Sequence, residues 1–162
     1  MFLYVRVTMS AKVFDSDASL DERKLSWGLQ PSEVGGRPFT VIRAEGRTFP
    51  SHRCLVPASE FRHRSRGKPY SFSLADDDWL YFAGVWRQAT RDWPEAYAIL
   101  TIEANDDVAP FHDRQMAVLR RDQRMAWLDG TCMEEELLRP LPADTFVVSQ
   151  PREASAQAVL AF

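Results

Sequence analysis

Three histidines, two cysteines and an uneven distribution of arginine are the side chains through which this 162-residue sequence could do chemistry. Imidazole exchanges protons near neutral pH, so His52, His63 and His112 are the natural acid-base candidates. No two of them stand at His-x-x-x-His spacing, and Cys54 and Cys132 form no Cys-x-x-Cys pair, so no metal site is expected. Two cysteines do not make a disulfide framework in a chain long enough to fold without one. A Gly-rich phosphate loop and a Gly-x-Ser-x-Gly elbow are both missing from the sequence, which removes the warrant for nucleotide hydrolysis or serine-hydrolase chemistry. No cofactor is expected.

The arginines are informative by position. The formal charge of the whole sequence is −3, which argues against a protein that coats nucleic acid through global charge. Within residues 43–68, however, Arg43, Arg47, Arg53, Arg62, Arg64, Arg66 and Lys68 face only Glu45 and Glu60, and seven cations against two carboxylates leave a local +5. Such a run is either a solvated face or a surface for phosphate.

These side chains need a scaffold to hold them. With 45% apolar and 27% charged residues the composition is that of a globular domain, and the length suits one domain over residues 1–162. Residues 2–5 form a short apolar run, too short for a signal-peptide core or a membrane span, so a cytoplasmic, monomeric protein with a free N-terminus is expected. Aromatic and β-branched residues predict strands over 2–7, 39–43, 54–56, 70–74, 79–86, 97–103, 116–119 and 146–149. Residues 15–24 read as a loop or short surface helix, 32–38 as a loop, 75–78 as a hairpin-like turn and 108–112 as a helical turn. Helices are predicted over 122–128 and 134–138, the first with Asp122 near its start and Gly130 just past its end. Many short strands with few helices define an α+β domain with a mainly antiparallel core.

Five strings stand out along the chain: Trp27-Gly28-Leu29-Gln30-Pro31, Ile42-Arg43-Ala44-Glu45, Arg53-Cys54-Leu55-Val56-Pro57-Ala58, Phe82-Ala83-Gly84-Val85-Trp86, and Ile99-Leu100-Thr101 running through Glu103-Ala104-Asn105 to His112-Asp113-Arg114. In that order and at those spacings, over about residues 27–149, the sequence resembles the SOS-response-associated peptidase (SRAP) family of abasic-site-processing proteins. The resemblance implies that this α+β core is a curved, barrel-like sheet flanked by short helices, and that the partner is single-stranded DNA. It also implies a cysteine directly after the initiator methionine, whose amine and thiol condense with the ring-opened abasic sugar to a thiazolidine. Phe2 stands at that position. A start at Met9 would expose Ser10, which likewise has no thiol.

The other site residues carry over one at a time. Where the family has the glutamate of a Tyr-Glu-Trp run, this sequence has His63, either a functional substitution or drift in an unused site. Val41 replaces the asparagine of an Asn-x-Arg motif, while Arg43 is retained, and the resemblance makes it a phosphate ligand; the alternative is an ion pair with Glu45. His112 matches the histidine of a His-x-Arg motif beside the reacting sugar, with Arg114 in the same motif. Trp27 and Pro31 would help form a wall for a stacked base, although Trp27 could equally belong to the core. Arg62 joins the expected DNA contacts through the basic run. Cys54 reads as an inert buried thiol.

The expected function is therefore binding of single-stranded or abasic-site DNA, with His63 and His112 as candidate catalytic residues and the cysteine-dependent cross-link lost or altered. Two rivals stay open. One is a diverged enzyme using the terminal amine with His63 and His112 on a carbonyl substrate, and the other is a protein-interaction module with no DNA role.

Overall fold

The computed structural model describes residues 4–7, 11–14 and 20–150, with side chains from residue 24 onward. Met1, Phe2, Met9 and Ser10, which carry the expectations for the terminus, lie outside the described residues.

The spine is β6 (Arg53–Ser65), thirteen residues long. Its first half is buried on both faces, as a strand with neighbours on each edge must be. β8 (Leu80–Arg87) pairs with Arg53 to Ala58 on one edge, and β2 (Ala11–Phe14) pairs with Cys54 and Leu55 on the other. Further along, β7 (Lys68–Leu74) continues the β8 edge and β1 (Tyr4–Val7) continues the β2 edge. β3 (Leu20–Arg23) extends β2, and β11 (Phe146–Ser149) extends β7. β9 (Ala96–Glu103) lies antiparallel to β8 and to β10 (Arg114–Met116), and parallel to β4 (Ser26–Trp27) and β5 (Val41–Arg43). The result is a mixed, mainly antiparallel sheet curved into a half-barrel. Among the described residues it carries two short helices, α1 (Arg121–Asp129) and α2 (Glu134–Leu137).

This is the α+β, barrel-like architecture that the sequence predicts, with three local differences. β6 runs nine residues past Val56, because pairing with β1 and β7 sustains a stretch too charged and Pro-interrupted to read as a strand. Leu20–Arg23 is a strand where a loop or surface helix was expected: at the end of the sheet it needs only β2 as a partner, and its charged residues suit such an edge. The turn at 75–78 joins β7 to β8, which pair with different halves of β6 and not with each other. The tight hairpin is instead between β6 and β7. There Ser65 pairs with Lys68, and Arg66 and Gly67 both take positive φ, 49° and 78°, the primed turn that matches strand twist.

Strand alternation divides the core into two layers. On β9, Tyr97 and Ile99 face the half-barrel interior with Phe82, Val56 and Met116, whereas Ala98, Leu100 and Ile102 face outward onto Leu119, Trp127 and Leu137. The helices cover that outer layer. Arg53 fastens them there: its Nε donates to the Phe49 carbonyl at 2.6 Å, one terminal nitrogen to the Trp127 carbonyl at 2.9 Å and the other to Glu134 at 2.6 Å. Glu134 also accepts the Phe49 N–H, so every strong donor in this web has an acceptor. The arginine of the Arg53 motif is thus structural. Cys54 lies fully buried in the inner layer, where burial pushes its thiol pKa far up and makes it inert. A Cβ on Gly84 would approach Cys54 Sγ to 2.9 Å and the Ala98 carbonyl to 3.0 Å, which accounts for glycine at this close strand crossing.

One irregularity re-aims the second half of β6. On β1, Val7 pairs with Ala58 and Val5 with Phe61, so β6 contains one residue more than its partner between these points. Such a bulge exchanges the two faces of a strand. Before it, Cys54, Val56 and Ala58 point inward; after it, Phe61 does, and with it His63. An unbroken alternation would have turned Glu60, Arg62 and Arg64 inward instead.

Candidate functional site

The two histidines that lie far apart in sequence are in face-to-face contact. The rings of His63 and His112 stack with centroids 4.4 Å apart and planes 8° from parallel. His63 reaches this position by the bulge just described. His112 reaches it through a turn, residues 105–112, whose amides at Ala109 and His112 close helical hydrogen bonds of 2.8 and 3.0 Å onto Asn105 and Val108. The helical turn expected over 108–112 is therefore present.

Both ends of that turn are pinned. Phe111 packs on Tyr70 and Phe72 of β7, at 4.4 and 5.7 Å between centroids, so the next residue is delivered against β6. At the other end buried Asn105 takes the side-chain oxygen of Gln115 on its N–H at 2.7 Å and donates to Asp107 and the Pro142 carbonyl. Asp107 accepts the amides of Asp144 and Phe146 at 2.9 and 3.0 Å, tying the turn to the start of β11. Burial pulls the Asp107 pKa upward, but those amide donors outweigh it and hold the carboxyl below its ordinary value. Neither Phe111 nor Asp107 carried a signal in the sequence. Asn105 lay inside a quoted motif but without a role.

Burial and a second imidazole define the chemistry of the pair. His63 is 4% exposed, and among the described residues its Nε2 has no hydrogen-bond partner. Loss of hydration, with the neighbouring His112 second, drives its pKa down to about 4, so it is a neutral imidazole at pH 7. On His112, Nδ1 lies 2.9 Å from the Arg114 N–H, 3.0 Å from the Arg114 carbonyl and 3.1 Å from Asp113 Oδ1. Accepting from the Arg114 amide requires a lone pair on Nδ1 and hence the proton on Nε2; donation to either oxygen requires the reverse.

The remaining candidates fall on one edge of β9. Trp27 pairs with Tyr97, Val41 with Ile99 and Arg43 with Thr101, so the three side chains follow one another along the inner face. Trp27 is half-buried on the inner core and donates its Nε1–H to the Thr40 carbonyl at 2.9 Å. Arg43 is exposed, and among the described residues no carboxylate pairs with it. Glu45, its possible partner, is instead bidentate with Arg114, at 2.6 and 2.8 Å. Arg114 also donates to Thr101, at 2.7 Å to the carbonyl and 3.2 Å to Oγ1. Thus Thr101 links Arg43 on one side of β9 to Arg114 on the other, and the Arg114 backbone leads to His112.

Two predicted residues stand apart from this line. Arg62 lies on the opposite face of β6 from His63, bonded to Glu60, which also accepts the Ser71 hydroxyl. Pro31 lies half-buried in the loop after β4, close to Gly36. Among the described residues no group of three or more His, Cys, Asp or Glu side chains could hold a metal ion. Two surface depressions, of about 880 Å³ beside the 75–78 turn and about 540 Å³ around Trp93, are lined by neither His63 nor His112.

The mixed sheet curved into a half-barrel is an SRAP-like fold, and in it buried His63 and half-buried His112 stand beside an arginine-bearing edge. The model of the SOS response associated peptidase (SRAP) family matches residues 5–154, and the chain belongs to that family. It is 30% identical over 165 residues to the abasic site processing protein YoaM of Bacillus subtilis, an alignment covering 83% of this chain and 73% of YoaM. With the abasic site processing protein YobE of the same organism the identity is 24%, and the chain spans 63% of YobE, less than two thirds. Among solved structures, a Bordetella bronchiseptica protein superposes with TM-score 0.72 at 20% identity, over 89% of this chain and 83% of that one. A Bacteroides thetaiotaomicron protein gives 0.67 at 21% identity, over 83% and 71%.

Proposed function

We propose that this protein binds single-stranded DNA containing abasic sites along the edge formed by Trp27, Arg43, Arg114 and His112, without the cysteine-dependent cross-link. The observation that carries the reading is the alignment of Trp27 and Arg43 on the inner face of β9. It sets an aromatic surface and an exposed guanidinium, without a carboxylate partner among the described residues, on a line that ends at the stacked histidines. The names of YoaM and YobE, abasic site processing proteins, support the same partner.

Neither thiol of the sequence is placed for condensation with an aldehyde. Cys54 is buried, and Cys132 hydrogen-bonds Glu136 at 3.2 Å, which raises its pKa and lowers its thiolate fraction. The test is incubation with an abasic single-stranded oligonucleotide followed by a denaturing gel. Retention by anisotropy with no denaturation-resistant band is expected, and a resistant band formed without borohydride refutes the second half of the proposal.

One observation favours a second reading, a diverged enzyme acting on a carbonyl substrate: two imidazoles, the side chain best suited to proton transfer near neutrality, stand in ring contact. In that case borohydride traps an imine adduct, and the His112→Ala variant changes its rate of formation.

A further inference from the structure

The basic edge contains a carboxylate that works against anion binding. Glu45 is held by three donors: both terminal nitrogens of Arg114, and the Glu103 N–H at 3.1 Å onto Oε1. The hydrogen bonds from Arg114 hold the Glu45 pKa below its ordinary value, so it stays ionised through the neutral range. Arg114 is correspondingly fixed over Thr101. Arg43 approaches the same threonine from β5, on the other side of β9. Two strand spacings separate β5 from β10, roughly 10 Å, which is about one Debye length at moderate salt. A charge change at Glu45 is therefore felt at both arginines.

We propose that Glu45 sets the strength with which this edge holds a phosphodiester backbone, an inference that rests on the DNA-binding reading above. With Glu45 ionised, Arg114 is a neutralised pair and Arg43 is the cation that meets phosphate. A phosphate that reaches Arg114 does so in competition with a bidentate carboxylate, the geometry a guanidinium matches best. Removing the carboxylate charge releases a second phosphate ligand on the same line as the first. Glu45 is thus a specificity-determining residue that keeps the edge weakly cationic, so that affinity for undamaged single strands stays low.

The test is a double-variant cycle of Glu45→Gln and Arg114→Met, read by anisotropy with a labelled, undamaged single-stranded oligonucleotide across a salt series. Glutamine keeps an acceptor for the Glu103 amide and for one Arg114 nitrogen, and thermal melting checks that the fold survives. The expected result is several-fold tighter binding by Glu45→Gln at low salt, with a salt slope steeper by about 0.7, one additional single-strand phosphate contact. In the double variant that gain disappears. Unchanged or weaker binding by Glu45→Gln overturns the proposal, as does a gain that persists without Arg114. If neither the wild type nor Glu45→Gln retains the oligonucleotide at low salt, the DNA-binding reading fails and the role of Glu45 falls with it. Binding by the wild type with no gain in the variant removes the role of Glu45 alone.

Discussion

Replacing His63 by phenylalanine should flatten the acid limb of the stability curve, and the size of the effect follows from where the ring sits. In the folded protein burial and His112 hold the His63 pKa at about 4, against an ordinary 6.5. The folded value lies below the unfolded one, so as pH falls the unfolded chain takes up the proton first. Stability from this group is complete above about pH 6.5, is lost progressively between 6.5 and about 4, and changes no further below. The drop from 6.5 to about 4, at about 1.4 kcal/mol per pH unit, gives a loss of about 3.5 kcal/mol across that window. Phenylalanine fits among Phe61 and Phe72, which already meet the imidazole edge to face, and it does not titrate. Urea denaturation of both proteins at several pH values from neutral to about 4 gives the difference curve, and an NMR titration of the histidine ring protons assigns it. Parallel pH profiles for wild type and His63→Phe would falsify the claim that a buried neutral imidazole occupies this position.

Three further outcomes are expected. Arg43→Ala should weaken binding to a single-stranded oligonucleotide roughly threefold to tenfold and lower the salt slope by about 0.7, measured by anisotropy; an unchanged slope excludes it as a phosphate ligand. Arg53→Met should cost about 3 kcal/mol in urea denaturation, because Glu134 and the Phe49 and Trp127 carbonyls lose a buried donor together, and a loss under about 1 kcal/mol would show that the web adds little beyond packing. A thiol reagent applied to the native protein should label Cys132 and spare Cys54 until unfolding, and early labelling of Cys54 counts against its burial in the inner layer.

The sequence made β5, β8 and β9 readable because each is a run of apolar and β-branched residues bounded by polar turns. It did not make the second half of β6 readable. There a proline, a bulge and alternating charges remove the period-two signal, and only pairing with β1 and β7 keeps the chain extended. The bulge also decides the site: from alternation carried through from Cys54, Arg62 would point inward and His63 outward. Glu45 and Arg114 both lay in quoted motifs, yet their pairing depends on β5 and β10 flanking opposite sides of β9, a fact of topology that spacing does not contain. The histidine stack depends in turn on Phe111 docking to β7 and on Asp107 reaching the start of β11, contacts formed by residues with no chemical signature of their own.

The extra residue in β6 makes the facing of the histidine pair depend on residue count and bulge together, since each compensates the other. Exchanging exposed Ser59 for another polar residue leaves the bulge and the stack in place, and deleting it removes the bulge while regular alternation from Ala58 still turns Phe61 and His63 inward. Glu60, Arg62 and Arg64 keep the outer face in both cases. The site can therefore shed its bulge as well as drift by substitution: a Ser59 deletion should leave soluble protein with the acid-side stability loss of His63 intact, whereas a deletion in the regular stretch from Phe61 to Ser65 shifts the strand register.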